Sequence, residues 1–152
     1  VDPHDRALLV EWLAPGPPVE AEVQEGRQPI LRSWARTRCS FEVNRDGAKI
    51  VVRLTTDDGL KKTLRVSAEG TLAVEYHWDP SLAPEGEFVS ELSLGHPAPV
   101  STTPEASAIA YSIETLAKSE RGFDRTRQGE CLTFSWPARL GQAALRLDTR
   151  IP

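Results

Sequence analysis

The chain contains no methionine, two cysteines, three histidines and few aromatic residues, 7% of its 152 positions. Each scarcity excludes a class of chemistry. His4, His77 and His96 stand apart in the sequence, and none belongs to a HExxH-type pair or lies beside a second ligand at metal spacing. No metal ion and no cofactor is therefore expected. Cys39 and Cys131 form no CxxC pair and read as two buried free thiols. A disulfide would need their Cα atoms within ~7 Å, which spacing alone does not establish. There is no GxSxG turn and no glycine-rich phosphate loop, so nothing suggests a serine hydrolase or a nucleotide enzyme. No apolar run approaches the ~20 residues that span a bilayer, and no charged-then-apolar leader is visible. The net charge is −4 with Lys and Arg scattered along the chain, which argues against a nucleic-acid or anionic-membrane partner. A chain beginning at Val1 without methionine reads as trimmed, so targeting is not legible at this end; a cytoplasmic location is expected.

What is present is an ordinary globular composition, 39% hydrophobic and 26% charged. At this length residues 1–152 are expected to form one domain that buries roughly 70% of its unfolded surface without a metal or disulfide staple. Asp5 to Leu13 reads as one short helix, with Asp5 as N-cap, or as an opening strand; Pro15, Gly16, Pro17 and Pro18 then end either element. From Cys39 onward the period is two. Cys39, Phe41 and Val43 share a face, Asn44 to Gly47 turns, and Ile50, Val52 and Leu54 share the next face. A second hairpin follows Asp57-Asp58-Gly59: Leu64 and Val66 precede a turn at Glu69-Gly70, and Leu72, Val74, Tyr76 and Trp78 face inward, with His77 on the polar side. Phe88 to Leu94 reads as a strand with Phe88, Leu92 and Leu94 inward and Glu91 opposite, His96 to Glu105 as a proline-marked loop. Ile109, Tyr111 and Ile113, then Leu132, Phe134 and Trp136, and finally Leu145, Leu147 and Ile151 give three more alternating runs. Many short, turn-marked strands predict an all-β, antiparallel β-sandwich with at most one short helix near the N-terminus.

Candidate functional residues are few. Glycosidase chemistry needs two carboxylates facing each other across a sugar, ~5–10 Å apart. Glu91, Glu114 and Glu120 lie nearest the unusual stretches, but the sequence does not set two of them across a cleft, and a surface position is the default for each. Trp78 and Trp136 fall on inward positions and read as core. Trp34, in a less periodic stretch, is the candidate for an exposed ring that stacks on a sugar. Between two clear strands, Ile113 to Gly129 packs Glu114, Ser119, Glu120, Arg121, Asp124, Arg125, Arg127 and Gln128. A bare hairpin connection is usually ~2–5 residues, so this one reads as a long loop, either pinned by an ordered ion-pair network or solvated at its tip. Gly122 suggests a backbone position with positive φ, with Phe123 turned inward beside it.

That segment carries a resemblance. Ile113-Glu114-Thr115, Ser119-Glu120-Arg121-Gly122-Phe123-Asp124, Gln128-Gly129 and Trp136-Pro137 follow, in order and spacing, a signature of the C-terminal β-sandwich domain of glycoside hydrolase family 57, the prokaryotic α-amylases and 4-α-glucanotransferases. Asp2-Pro3 through Leu13 resembles the opening of that domain, and Phe88 to Leu94 its F-x-x-E-x-N-L strand. Ser112 stands where the family has proline, Arg127 where it has tyrosine, and Val10-Glu11-Trp12 where it has D-H-F. The resemblance implies a supersandwich of the galactose mutarotase type, forming the C-terminal part of a larger enzyme whose nucleophile and acid/base lie in an N-terminal barrel. No catalytic residue of the family maps onto this chain. What it implies instead is a non-catalytic accessory domain, not an enzyme on its own. Its partner would be the catalytic barrel of the same parent, and α-glucan would be a further candidate partner. Glu91, Glu114, Ser119, Glu120, Arg121, Gln128 and Trp34 are then the carbohydrate-binding or interdomain residues. The competing readings are a free-standing carbohydrate-binding β-sandwich and a small mutarotase-type enzyme; the latter would need a convergent His/carboxylate pair.

Overall fold

Period-two alternation gives each strand an apolar face to cover, and the computed structural model, which describes residues 8–119 and 122–148, covers it by laying sheet on sheet. In chain order the elements are β1 (Leu8–Ala14), α1 (Glu20–Gln24), β2 (Arg32–Ser33), β3 (Cys39–Asp46), β4 (Lys49–Thr56), β5 (Lys61–Ser67), β6 (Thr71–His77), β7 (Glu87–Leu94), β8 (Val100–Thr103), β9 (Ser107–Ser119), β10 (Gly122–Pro137) and β11 (Gln142–Asp148). They form a five-stranded sheet, β2-β1-β7-β10-β9, and a six-stranded sheet, β3-β4-β5-β6-β11-β8. The described pairings are antiparallel. The expected all-β sandwich with one short helix is the observed architecture.

The core lies between the sheets. Leu13, Phe88, Leu92, Phe134 and Trp136 of the first sheet meet Leu72, Val74, Tyr76, Leu145 and Leu147 of the second. Aromatic rings carry the contact. Phe88 stacks flat on Trp78, centroids 3.9 Å apart and planes 2° from parallel, and also meets Tyr76 at 5.3 Å, Trp34 at 6.0 Å and Trp136 at 6.1 Å. Two of the buried indoles satisfy their N–H groups on backbone: Trp78 donates to the Ala138 carbonyl at 2.6 Å and Trp136 to that of Pro104 at 2.9 Å. The outer face of the five-stranded sheet is covered as well. Val10, Trp12, Ala14 and Val89 cluster there, and α1 lays Val23 on Tyr111 and Cys131.

Of the two readings of the opening segment, helix or strand, its described part is strand β1, because Leu9 and Leu13 are needed on the core side of a sheet, and helix α1 follows the prolines. Other expectations are corrected. The stretch His96–Glu105 is not all loop: β8 adds to the edge of β11. The stretch 113–129 is no long loop either. β9 and β10 pair continuously from Gly122↔Ser119 to Ser135↔Ser107, with one bulge between Arg127 and Gly129 that leaves Gln128 as the extra residue. Gly129 lies against β7, where an added Cβ would collide with the Leu94 carbonyl oxygen. Gly122 has the expected positive φ, 128°. Both cysteines are free, but only Cys131 is buried and Cys39 is exposed. Ile151 lies outside the described residues, and so do the side chains of Ser119 and Phe123.

Two substitutions test this packing by urea denaturation. Phe88→Ala is expected to cost ~3–5 kcal/mol, as for a buried aromatic that leaves a cavity. Gly129→Ala is expected to cost ~1–3 kcal/mol, because the β10–β7 ladder must open to admit a methyl. An unmoved midpoint for Phe88→Ala would mean that the sheets do not pack through that ring.

Candidate functional site

Strand parity decides which charged side chains are forced inside. In β1, Glu11 has the parity of Leu9 and Leu13; in β5, Lys62 has the parity of Leu64 and Val66. Both therefore point between the sheets, Glu11 4% exposed and Lys62 15%. The Lys62 ammonium donates to both Glu11 carboxylate oxygens, at 3.0 and 2.9 Å, and to the Leu9 carbonyl at 3.0 Å. Its three donors are thus all used. Leu9 is a β-bulge residue in the left-handed region, φ 65°, and this is the point where β1 offers its carbonyl to the lysine. Tyr76 of β6 shares a 2.9 Å hydrogen bond with Ser90, the residue opposite Glu11 in β7. Burial pushes the Glu11 carboxyl up despite the attraction of Lys62, and burial together with the Glu11 charge pushes the Tyr76 hydroxyl well up.

A second polar contact joins the sheets beside this pair. Asp58, in the turn between β4 and β5, accepts from Trp34 Nε1 at 2.9 Å and from Arg32 at 2.8 Å. Burial would push the Asp58 carboxyl up, but hydrogen bonds from Thr56 and Trp34 and the Arg32 charge outweigh it and hold it below the usual range. Between the two contacts lies a small recess of about 70 Å³, lined by Glu11, Trp34, Cys39, Leu54, Thr56 and Lys62 among others. It is too small for a sugar ring.

The residues singled out in the sequence are not brought together. Trp34 follows β2 at one edge of the five-stranded sheet, while Glu114 and Gln128 lie on the β9–β10 hairpin at the other. Trp34 is not the exposed ring expected of a stacking residue: it is 6% exposed, packed on Phe88 and held by Asp58. Glu91 is not at the surface either. It lies 4% exposed on the outer side of β7, between Val10 and Thr133. Glu11 and Glu91, the two buried glutamates among the described residues, therefore occupy opposite faces of one sheet and cannot flank one sugar. Glu114 is half-exposed, 3.5 Å from Arg125, and Gln128 donates to Thr115 at 3.0 Å. These are surface contacts worth under ~1 kcal/mol each. Ser119 pairs with Gly122 in the ladder. Glu120 and Arg121 lie outside the described residues. Among the described residues no group of three His, Cys, Asp or Glu could hold a metal, and no helix is long and apolar enough to cross a membrane.

The Glu11–Lys62 pair was legible in principle. Each charge interrupts an otherwise apolar parity, and two such interruptions on facing strands satisfy each other.

Comparison with known proteins agrees with the resemblance read from the sequence. Residues 88–151 match the family described as "Alpha-amylase/4-alpha-glucanotransferase, C-terminal". Comparison with curated proteins finds no match. Among solved structures the chain is similar to the 4-α-glucanotransferase of Thermococcus litoralis, with a TM-score of 0.65 and 13% identity. That likeness covers 98% of this chain and 28% of the other, so this chain spans little more than a quarter of that enzyme's length. At such identity it is the sandwich fold that the two share.

The buried pair has a measurable signature. Lys62→Met leaves Glu11 desolvated without its cation and is expected to cost ~3–5 kcal/mol, whereas Glu11→Leu with Lys62→Met should recover most of that loss. Because the folded pKa of Glu11 is raised, its contribution is fully present below the ordinary carboxylate value. It is lost as pH rises through the raised value. Urea midpoints taken from pH 4 upward should show this component in the parent chain, enlarged in Lys62→Met and absent from the double variant. A Lys62→Met chain as stable as the parent would show that the pair is not desolvated.

Proposed function

We propose that this chain is a non-catalytic accessory domain of a cytoplasmic, α-glucan-acting enzyme of glycoside hydrolase family 57, an α-amylase or 4-α-glucanotransferase. In this reading it packs on the catalytic barrel of the same polypeptide and shapes the acceptor side of the cleft. The observation that carries the proposal is the match of residues 88–151 to the C-terminal domain of that group, on a sandwich whose fold recurs in a 4-α-glucanotransferase. The arrangement of carboxylates supports it: Glu11 and Glu91 are separated by the sheet itself, and the Glu11 charge is committed to Lys62. The free-standing carbohydrate-binding reading is disfavoured by the tryptophans. Trp12, Trp34, Trp78 and Trp136 are all buried, which withdraws the indole faces that a stacking platform presents to pyranose rings.

The test is turnover of maltooligosaccharides. The 152-residue chain alone is expected to show none over hours, and the polypeptide that carries it together with a barrel domain is expected to hydrolyse or disproportionate them. Deleting residues 8–148 from that polypeptide should change its acceptor preference or its thermal stability. Turnover by the isolated chain that disappears with Glu91→Gln or Glu114→Gln would overturn the proposal, and saturable micromolar binding of maltoheptaose to the isolated chain would transfer it to a binding module.

A further inference from the structure

The two sheets do not cover each other evenly. On the inner face of the six-stranded sheet the pairing rows run Val43–Val52–Leu64–Val74–Leu145 and Arg45–Ile50–Val66–Leu72–Leu147. At the β6–β11 end these rows are core: Leu72, Val74, Leu145 and Leu147 are buried. Toward β3 the same face runs out into solvent, with Phe41 68%, Val43 58%, Ile50 44% and Val66 43% exposed. The cause is in the opposite sheet, where β2 is only two residues long and, among the described residues, no strand of that sheet continues beyond it to lie over β3 and the adjoining ends of β4 and β5. The other face of β3, with Ser40, Glu42, Asn44 and Asp46, is polar throughout. The result is a one-sided apolar corner on the order of a few hundred Å², the size at which exposed patches mark an interaction surface. It also includes β3 as a free edge strand, which natural sheets normally blunt or cover.

We infer that this corner, centred on Phe41 and Val43, is where the catalytic domain of the same polypeptide docks. The inference rests on the accessory-domain reading above and adds to it the surface that makes the contact. Two observations favour that occupant. The corner is continuous with the core, so a partner seated there completes the missing end of the five-stranded sheet, as an interdomain contact within one chain does. The fold recurs in a polypeptide of which it makes up 28%, so most of such a chain lies outside the sandwich and is available as the partner. The partner surface is apolar, with a carboxylate facing Arg45, which stands on the same face opposite Ile50.

Cys39 begins this face and is exposed, whereas Cys131 is buried, so alkylation reports coverage of the corner. The experiment compares the rate of Cys39 alkylation by iodoacetamide, followed by mass spectrometry of its peptide, in the 152-residue chain and in the full polypeptide. The expected result is at least tenfold slower reaction in the full polypeptide. Val43→Asp should restore the fast rate there and leave the urea midpoint of the 152-residue chain unchanged. Equal rates in the two proteins would overturn the inference, and if maltooligosaccharide turnover by the full polypeptide persisted, the accessory-domain reading would stand without it. Slowing that depends on the concentration of the 152-residue chain alone would also overturn it, by making the occupant a second copy.

Discussion

The structure turns on the contact between Phe88 and Trp78. Phe88 is the second residue of β7, the central strand of the five-stranded sheet, and Trp78 lies just past β6 on the other. Their rings stack within 2° of parallel, and Tyr76, Trp34 and Trp136 close around the same phenyl ring. Two sheets related only by apolar contact could slide over one another at little cost. Flat stacking of two large rings, with the Trp78 N–H held by the Ala138 carbonyl, gives the inter-sheet contact a direction and an offset. From that offset the remaining inter-sheet contacts follow: Tyr76 reaches Ser90 beside Phe88, Lys62 reaches Glu11, and Asp58 reaches Trp34.

The fold was legible where one face of a strand is wet and the other dry. Leu72, Val74 and Tyr76 against Glu75 and His77 left no choice of inward face; in β10 the polar Thr133 and Ser135 marked the face opposite Leu132, Phe134 and Trp136, although that face is buried too. Legibility failed where neither contrast nor context is local. Val10, Trp12 and Ala14 alternate with Leu9, Glu11 and Leu13, and both sets are buried because β1 is covered on both sides; such a run has no period-two signature and reads equally as helix. The 113–129 stretch looked like a loop because it is dense in charged residues, and its hairpin runs past the β10–β7 pairing that begins at Glu130↔Leu94. Its pairing is decided by the backbone ladder and by the Gly129 approach to Leu94, which composition does not record. Trp34 looked exposed for the same reason: its neighbours Ser33 and Ala35 are exposed, while the partners that bury it, Phe88 and Asp58, are distant in sequence.

The candidate site was less legible than the fold, and the reason is chemical. Carboxylates and arginines attract attention when they are dense, and density in this chain marks solvated strand ends, as at Glu114 and Arg125. The charges that matter to the core are isolated ones. Glu11 lies in the Val10-Glu11-Trp12 triplet, where the family the sequence resembles has D-H-F, and its neutralisation requires a cation from the facing sheet. An ion pair of this kind is weak evidence for stability, because desolvation of both groups offsets their attraction. Its consequence is geometric: a register slip of β1 or β5 by one residue would exchange each buried charge for a neighbour of opposite facing and leave the other unpaired.

The uneven overlap of the sheets completes the argument. A sandwich that is finished in itself has matching sheets, so that each inner face ends where the other does. In this one the five-stranded sheet closes against β6 and β11 and stops at the two-residue β2, while the six-stranded sheet continues through β4 to β3 with its apolar parity intact. Among the described residues, nothing in the packing requires Phe41 or Val43 to be apolar, since both are more than half exposed. Yet they continue the parity of Val52, Leu64 and Val74, a row that leads into the core. Apolar side chains that the described residues leave exposed fit the docking surface inferred above. The same reasoning separates this corner from the β9 edge of the opposite sheet, where the inner-facing residues Ala108 and Ala110 are small. A methyl group left in water costs little, whereas a phenyl ring and a branched chain side by side expose enough area to bind something or to aggregate.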